Sequence, residues 1–232
     1  LPWVVLKFGG TSVSTRARWD TIRDLVRRRR DEGLRPVVVH SALATVSNRL
    51  DDVVRMATGA DTDAQIAAIR DLHLALARDL GVDGEALLGD YFGELARLAA
   101  GIRLTGEASP RIRARIMGMG ELMATRLGAA FLAREGLPVA WLDARDLLTS
   151  LDVPNANEAA RYLAATCDFQ ADPALQARLA AQPEVVLTQG FIASNGRGEG
   201  VLLGRGGSDT SAAYFAAKLE AAALEIWTDV PG

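Results

Sequence analysis

Apolar residues along this chain follow two rhythms. Short continuous runs, each bounded by glycine, proline or polar residues, occur at Val4 to Phe8, Pro36 to His40, Pro138 to Leu142, Pro183 to Ile192 and Leu224 to Asp229. Runs of this length between turn signals predict buried strands. Between them lie longer stretches with apolar residues three and four apart, the spacing of a helix with one buried face. They predict helices over Arg16 to Glu32 (closed by Gly33), Arg49 to Thr58, Pro110 to Arg134, Asn157 to Thr166, Pro173 to Gln182 and Ala212 to Leu219. From Asp61 to Gly101 the pattern is helical throughout, with Ile66, Ile69, Leu72, Leu76 and Leu80 on one stripe and Leu87, Leu88, Phe92, Leu95 and Leu98 on a second. Asn195-Gly196 signals a hairpin turn that returns through Gly200 to Leu203.

The first strand, helix and second strand form a βαβ unit, which implies parallel pairing and a right-handed crossover. Extended along the chain, the alternation predicts an α/β fold, a three-layer α/β/α sandwich on a mainly parallel sheet with one helical insert over 61–101.

Composition narrows the function classes. The chain has 232 residues, 49% hydrophobic and 24% charged, with a formal net charge of -3. No global field favours nucleic acid. The run Arg27-Arg28-Arg29-Arg30 follows Ile22, Leu25 and Val26 at helical spacing and reads as the solvated end of an amphipathic helix. Cys167 stands alone, which excludes an internal disulfide and a cysteine-based zinc site. The lone thiol fits a reducing compartment. No apolar stretch approaches about eighteen residues and no leader-like segment opens the chain, so the expectation is a cytoplasmic protein with no membrane partner.

Candidate chemistry gathers after the strands. Lys7 closes the first strand and runs into Gly9, Gly10, Thr11 and Ser12. Open α/β sheets bind ligands at the carboxyl ends of their strands. Glycines there let backbone N–H groups approach an anion, and a lysine adds positive charge. The alternative is a plain strand and turn with a snorkelling lysine. The small, hydroxyl-rich segment Ser41 to Asn48 leaves the second strand at the same sheet edge and forms a plausible second wall. In the long helix, Gly118 and Gly120 suggest close approach of a backbone or ligand, and Glu121 beside them is a carboxylate in an apolar stretch. Gly204-Arg205-Gly206-Gly207-Ser208-Asp209 leads into a helix and makes a second anion site. No Gly-x-x-x-x-Gly-Lys-Ser/Thr loop, Gly-x-Gly-x-x-Gly fingerprint or His-Glu-x-x-His occurs, and the two histidines support no triad. His73 reads as an ordinary helix residue.

Taken in order, five elements resemble the aspartate kinases of the amino-acid kinase (carbamate-kinase-like) family. They are Lys7-Phe8-Gly9-Gly10-Thr11-Ser12-Val13, Gly120-Glu121-Leu122-Met123, Gln189-Gly190-Phe191-Ile192, Leu203 to Asp209, and Trp227-Thr228-Asp229-Val230-Pro231-Gly232. The resemblance covers the whole chain. It implies transfer of the γ-phosphoryl group of ATP, with Mg²⁺, to the β-carboxylate of L-aspartate, the first step toward lysine, threonine and methionine. Lys7 would lie over the transferring group and Asp209 would hold it and help orient Mg²⁺, which bridges phosphates rather than sitting in a protein cage. Gly9, Gly10, Gly206, Gly207 and Ser208 would surround the phosphates, and Thr228 and Asp229 would approach the nucleotide. Arg205 would meet the substrate α-carboxylate with a bidentate fork and Glu121 its ammonium, with Ser41 and Ser47 lining the pocket.

Two departures stand out. The family usually has glycine and threonine near positions 45 and 47, where this chain has Thr45 and Ser47. Aspartate kinases also continue beyond the Thr-Asp-Val element. The resemblance therefore implies an aspartate-binding lobe over about 1–200 and the start of an ATP-binding lobe over 201–232. The rest of that lobe and the ACT regulatory domains would be absent, and the isolated fragment inactive. The full-length enzyme would be a homo-oligomer. The alternatives are a non-catalytic aspartate-binding fragment and another amino-acid kinase acting on a different small carboxylate.

Overall fold

The structure is a computed structural model and describes residues 1–204 and 207–228. Five strands, β1 (Trp3–Phe8), β2 (Arg35–His40), β3 (Val139–Trp141), β4 (Val185–Gln189) and β7 (Ala223–Trp227), form one sheet in the order β3-β4-β2-β1-β7. Every pairing is parallel, so all carboxyl ends lie along one edge. A separate antiparallel ribbon joins β5 (Ile192–Ser194) to β6 (Gly200–Leu202). The α/β expectation with a mainly parallel sheet holds.

Strand alternation sorts side chains into two cores, since successive residues face opposite sides. Val4, Leu6 and Phe8 of β1 and Val38 of β2 pack with α1 (Arg16–Asp31), α2 (Val46–Met56), α3 (Asp63–Leu80), α4 (Gly84–Thr105) and part of α5 (Pro110–Arg134). Val5, Val37, Val39 and Val186 face the other way, against α6 (Glu158–Leu163), α7 (Pro173–Ala180) and α8 (Gly207–Lys218). Lys7 shares the parity of Val5 and so points toward α8.

Helix ends follow local chemistry. Thr15, Asp83, Ser109, Asn157 and Asp172 each accept a backbone N–H as N-caps of α1, α4, α5, α6 and α7. Gly81, at φ 68, ends α3 and separates it from α4. His73 of α3 is buried, its Nδ1 2.7 Å from Ile69 O, an ordinary core histidine.

Several expected boundaries move for identifiable reasons. The segment read as one strand over 183–192 breaks at Gly190-Phe191, where Phe191 adopts φ 68, giving β4 and β5. The helix expected over 157–166 stops at Leu163, because Ala165 bridges to Leu203 and Thr166 O accepts Leu151 N–H. α2 begins at Val46 rather than Arg49, and α8 at Gly207 rather than Ala212, so Ser47, Ser208 and Asp209 lie in first turns of helices instead of loops. The arginine run is less solvated than its composition suggests. Arg29 pairs with Glu225 of β7 at 2.7 Å and Arg30 pairs with Glu184, tying α1 to β7 and to the turn before β4.

α5 is long and apolar enough by length and composition to cross a membrane, yet 78% of its apolar window is buried inside the protein. It is the central core helix, and three glycines let neighbours approach. A Cβ at Gly118 would stand 3.1 Å from Ile192, and one at Gly120 would stand 2.8 Å from the Ala42 Cβ. At Gly128 it would meet the fully buried Trp19 ring at 2.1 Å. Gly128→Ala is therefore expected to destabilise the fold by about 1–3 kcal/mol, the range for overpacking a filled core. Chemical denaturation checks this, and an unchanged midpoint would show that the Trp19 ring can move aside.

Candidate active site

The chemistry-bearing segments meet at the carboxyl edge of the sheet. Lys7, near the end of β1, is mostly buried, and its Nζ lies 2.6 Å from Asp209 Oδ1 in the first turn of α8. The Asp209 side chain is 52% exposed, so the pair opens toward solvent at one end. A Cβ at Gly9 would stand 3.7 Å from Lys7 Nζ, so glycine there leaves the ammonium uncovered for a ligand oxygen.

Three further contacts assemble the walls. At Gly10 a Cβ would sit 2.8 Å from Ala42 O, which only glycine allows, so the loop after β1 touches the backbone of the loop after β2. That second loop reaches α8 through Ser41 Oγ, which donates to Ser208 Oγ at 2.8 Å. Gly190, after β4, packs on the same Ser208, with a Cβ position 2.4 Å from its Oγ. The turn is then locked by Phe191 N–H donating to Ser211 Oγ at 2.7 Å, whose hydroxyl donates to Gly207 O at 3.0 Å.

Glu121 enters from α5. It is 3% exposed, and its Oε1 accepts the Ala42 N–H at 3.2 Å. Its Oε2 is buried with no hydrogen-bond partner among the described residues. Burial pushes its carboxyl up to about 8, against the lowering effect of the Ala42 N–H bond. An unpaired buried carboxylate oxygen is costly unless a donor or cation completes it. Thr125, one turn on, fixes this part of the helix: its hydroxyl donates to Glu121 O at 2.8 Å and accepts from Trp141 Nε1 and Gln189 Nε2.

The structure thus joins Lys7, Asp209, Gly9, Gly10, Ser41, Ser208 and Glu121 into one contiguous set, with Gly207 at the start of α8. Ser47 lies half-buried in the first turn of α2. Thr228 follows β7, whose Trp227 pairs with Phe8, so it leaves the sheet beside Gly9 and is exposed. Arg205, Gly206 and Asp229 lie outside the described residues. Sequence reasoning gave no supporting role to Ser14, Thr125, Gln189 or Ser211, because a single hydroxyl or amide carries no pattern of its own. Thr45, where the resemblance expects glycine, has φ 70. The left-handed region costs an L-residue about 1–2 kcal/mol, which explains the usual glycine. Another cavity of about 460 Å³, lined in part by Arg111, Arg145 and Glu199, includes neither Lys7 nor Glu121. Its charges are already paired, Arg111 with Glu199 at 3.2 Å and Arg145 with Asp143 at 2.6 Å.

A lysine paired with a helix-start aspartate beside the Gly9-Gly10 loop, at the strand ends of a parallel sheet, suits the binding of an anionic small molecule. The chain matches the amino acid kinase family over residues 2–232, and it belongs to that family. Among relatives it is 33% identical over 234 residues to the lysine-sensitive aspartokinase 3 of Escherichia coli K12, covering 99% of this chain and 49% of that protein. It is 30% identical to the chloroplastic bifunctional aspartokinase/homoserine dehydrogenase 1 of Arabidopsis thaliana, over 99% of this chain and 25% of that protein. The crystal structure of E. coli aspartokinase III in complex with aspartate and ADP (R-state) superposes with a TM-score of 0.80 at 32% identity, covering 99% of this chain and 49% of that one. The chain therefore spans half or less of the length of these relatives. The motif resemblance to aspartate kinases is shown by these matches.

Proposed function

We propose that this chain carries the aspartate-binding and phosphoryl-transfer site of an aspartate kinase, which moves the γ-phosphoryl group of ATP onto the β-carboxylate of L-aspartate. One observation carries the reading: the Lys7–Asp209 pair beside the Gly9-Gly10 loop is linked, through Ser208, Ser41 and Ala42, to the buried Glu121, whose second oxygen has no partner among the described residues. A positive charge and an anionic pocket in one site suit a substrate with a phosphate-accepting carboxylate and an ammonium. The aspartate and ADP bound to the E. coli relative agree with that pairing.

In the reaction, an oxygen of the ionised β-carboxylate attacks the γ-phosphorus and the bond to the ADP oxygen breaks, with no proton needing to move. Such transfer relies on positioning and charge neutralisation more than on covalent help from the protein. Lys7 neutralises the equatorial phosphoryl oxygens. Gly9, Gly10, Gly206 and Gly207 supply backbone N–H groups, with Ser208 adding a hydroxyl, and Thr228 and Asp229 approach the nucleotide. Glu121 takes the substrate ammonium, Arg205 its α-carboxylate, and Ser41 and Ser47 line the pocket. Among the described residues no group of three or more His, Cys, Asp or Glu side chains could hold a metal. The site fits Mg²⁺ only as an ion held mainly by phosphate oxygens, with the half-exposed Asp209 as the nearby carboxylate; such an ion supplies further charge neutralisation.

The proposed division places the aspartate lobe at about 1–200 and the start of the nucleotide lobe at 201–232, in a cytoplasmic enzyme that is a homo-oligomer at full length. Acceptor preference tests the reading. With the full-length enzyme, Mg-ATP and hydroxylamine, L-aspartate is expected to give hydroxamate faster than L-glutamate or N-acetylglutamate. Preference for another acid would assign a different amino-acid kinase, and binding of aspartate without any turnover would favour the non-catalytic alternative.

A further inference from the structure

The loop after β2 holds a backbone conformation that the proposed chemistry does not use. Thr45 stands at φ 70 and ψ -17, where a β-branched residue is an outlier, and its side chain makes no capping bond to α2. One peptide earlier, the Ala44 N–H donates to Ser14 Oγ at 2.9 Å. The Ser14 hydroxyl donates its own hydrogen to Gly10 O at 2.6 Å. A single side chain therefore joins the backbone of the glycine loop after β1 to the backbone of the loop after β2. The bridge sits where the loops touch, since a Cβ at Gly10 would be 2.8 Å from Ala42 O and 3.2 Å from Ala44 N. From its other side the second loop is held by Ser208, through Ser41, and by Glu121, through Ala42.

We propose that Ser14 is a positioning residue whose hydroxyl bridge keeps residue 45 left-handed and so fixes the second loop against the first. Residues in such sparsely populated regions persist only where their surroundings over-determine them. Here the over-determining contact is the bond to the Leu43–Ala44 peptide, one residue before Thr45. Without the Ser14 hydroxyl, the Ala44 N–H and Gly10 O lose their shared partner, and Thr45 relaxes toward negative φ. That rotation carries Ala42 to Ala44 away from Gly10 and from Glu121. Thr45→Gly makes the left-handed state free of penalty, so the bridge then matters far less. The effect on turnover rests on the phosphoryl-transfer reading; the coupling between positions 14 and 45 does not.

A double-mutant cycle tests this on the full-length enzyme, using Ser14→Ala, Thr45→Gly and the pair, with Ser14→Thr as the conservative variant. Aspartyl hydroxamate formation and thermal melts are the two readouts. Ser14→Ala is expected to lower kcat about 10- to 100-fold, the scale of a misplaced reacting group, with KM values changing much less. Ser14→Thr retains the hydroxyl and should keep most of the turnover. In the Thr45→Gly background, the loss on removing Ser14 should shrink to about threefold or less, and the fall in Tm should shrink with it. Parental kcat in Ser14→Ala, or equal losses in both backgrounds, would overturn the proposal. Should Ser14→Ala not fold, a folded double variant supports the coupling and an unfolded one refutes it. A parent enzyme that makes no hydroxamate from aspartate defeats the functional reading instead. The Tm cycle still decides the coupling.

Discussion

Lys7→Ala in the full-length enzyme is expected to lower kcat by about 10²–10³-fold or more, the scale of losing one preorganised charge partner of a transition state. The geometry explains why the loss should fall on turnover rather than on folding. Lys7 is mostly buried, but its partner Asp209 is 52% exposed. When the ammonium is removed, that carboxylate turns to water instead of being stranded, and pairs with one wet end contribute only about 0–1 kcal/mol to stability. Melting temperature should therefore move little while turnover collapses. Steady-state kinetics and a thermal melt on the same preparation check both halves, and near-normal turnover would remove Lys7 from the reaction.

Glu121→Gln should raise KM for aspartate about 30-fold or more, the loss expected when one partner of a desolvated charge pair is neutralised. KM for ATP should stay within about twofold, because Glu121 belongs to the amino-acid side of the site. The same substitution has a signature in stability. Burial raises the Glu121 carboxyl from 4.5 to about 8 in the folded protein. The folded state therefore holds this proton more tightly than the unfolded chain. Its contribution is complete below the unfolded value and is lost as pH rises toward 8. Glutamine does not titrate, so Glu121→Gln should gain stability relative to the parent across that window, by at most about 1.4 kcal/mol per pH unit. Denaturation at pH 5 and pH 8 checks the sign, and a difference that shrinks with pH would contradict it. Substrate binding should act in the opposite direction. An arriving ammonium favours the carboxylate, so aspartate binding near neutral pH should release a proton, measurable by calorimetry in buffers of different ionisation enthalpy.

Much of this site was legible because its residues break local rules. Lys7 interrupts an apolar strand, paired glycines follow it, and Gly118, Gly120 and Glu121 interrupt an apolar helix. Each violation has a physical counterpart: a charge pair, a backbone contact with Ala42, and a buried acid with an open oxygen. The strands β1, β2 and β4 were legible because burial on both faces leaves continuous apolar runs. Other features left no such trace. The break at Phe191 depends on Ser211, twenty residues later, accepting its N–H. Thr125 is a common helix residue, yet it receives hydrogen bonds from both Trp141 and Gln189. The starts of α2 and α8 were read too late because small and hydroxyl residues favour loops and caps over helix interiors. In both helices, tertiary contacts with the neighbouring loop override that preference. Arg29 likewise looked solvated, and only the placement of β7 beside β1 supplies Glu225 as its partner.

The central claim is spatial: the Lys7 end and the Glu121 end are two halves of one aspartate-phosphorylating site. A crystal structure of the full-length enzyme with L-aspartate and ADP tests it most directly. The account predicts the aspartate ammonium within hydrogen-bond distance of Glu121 Oε2 and the β-carboxylate turned toward Lys7, with ADP phosphates over Gly9 and Gly10. Aspartate bound elsewhere, with Glu121 still unpartnered and Lys7 facing no phosphate, would contradict it.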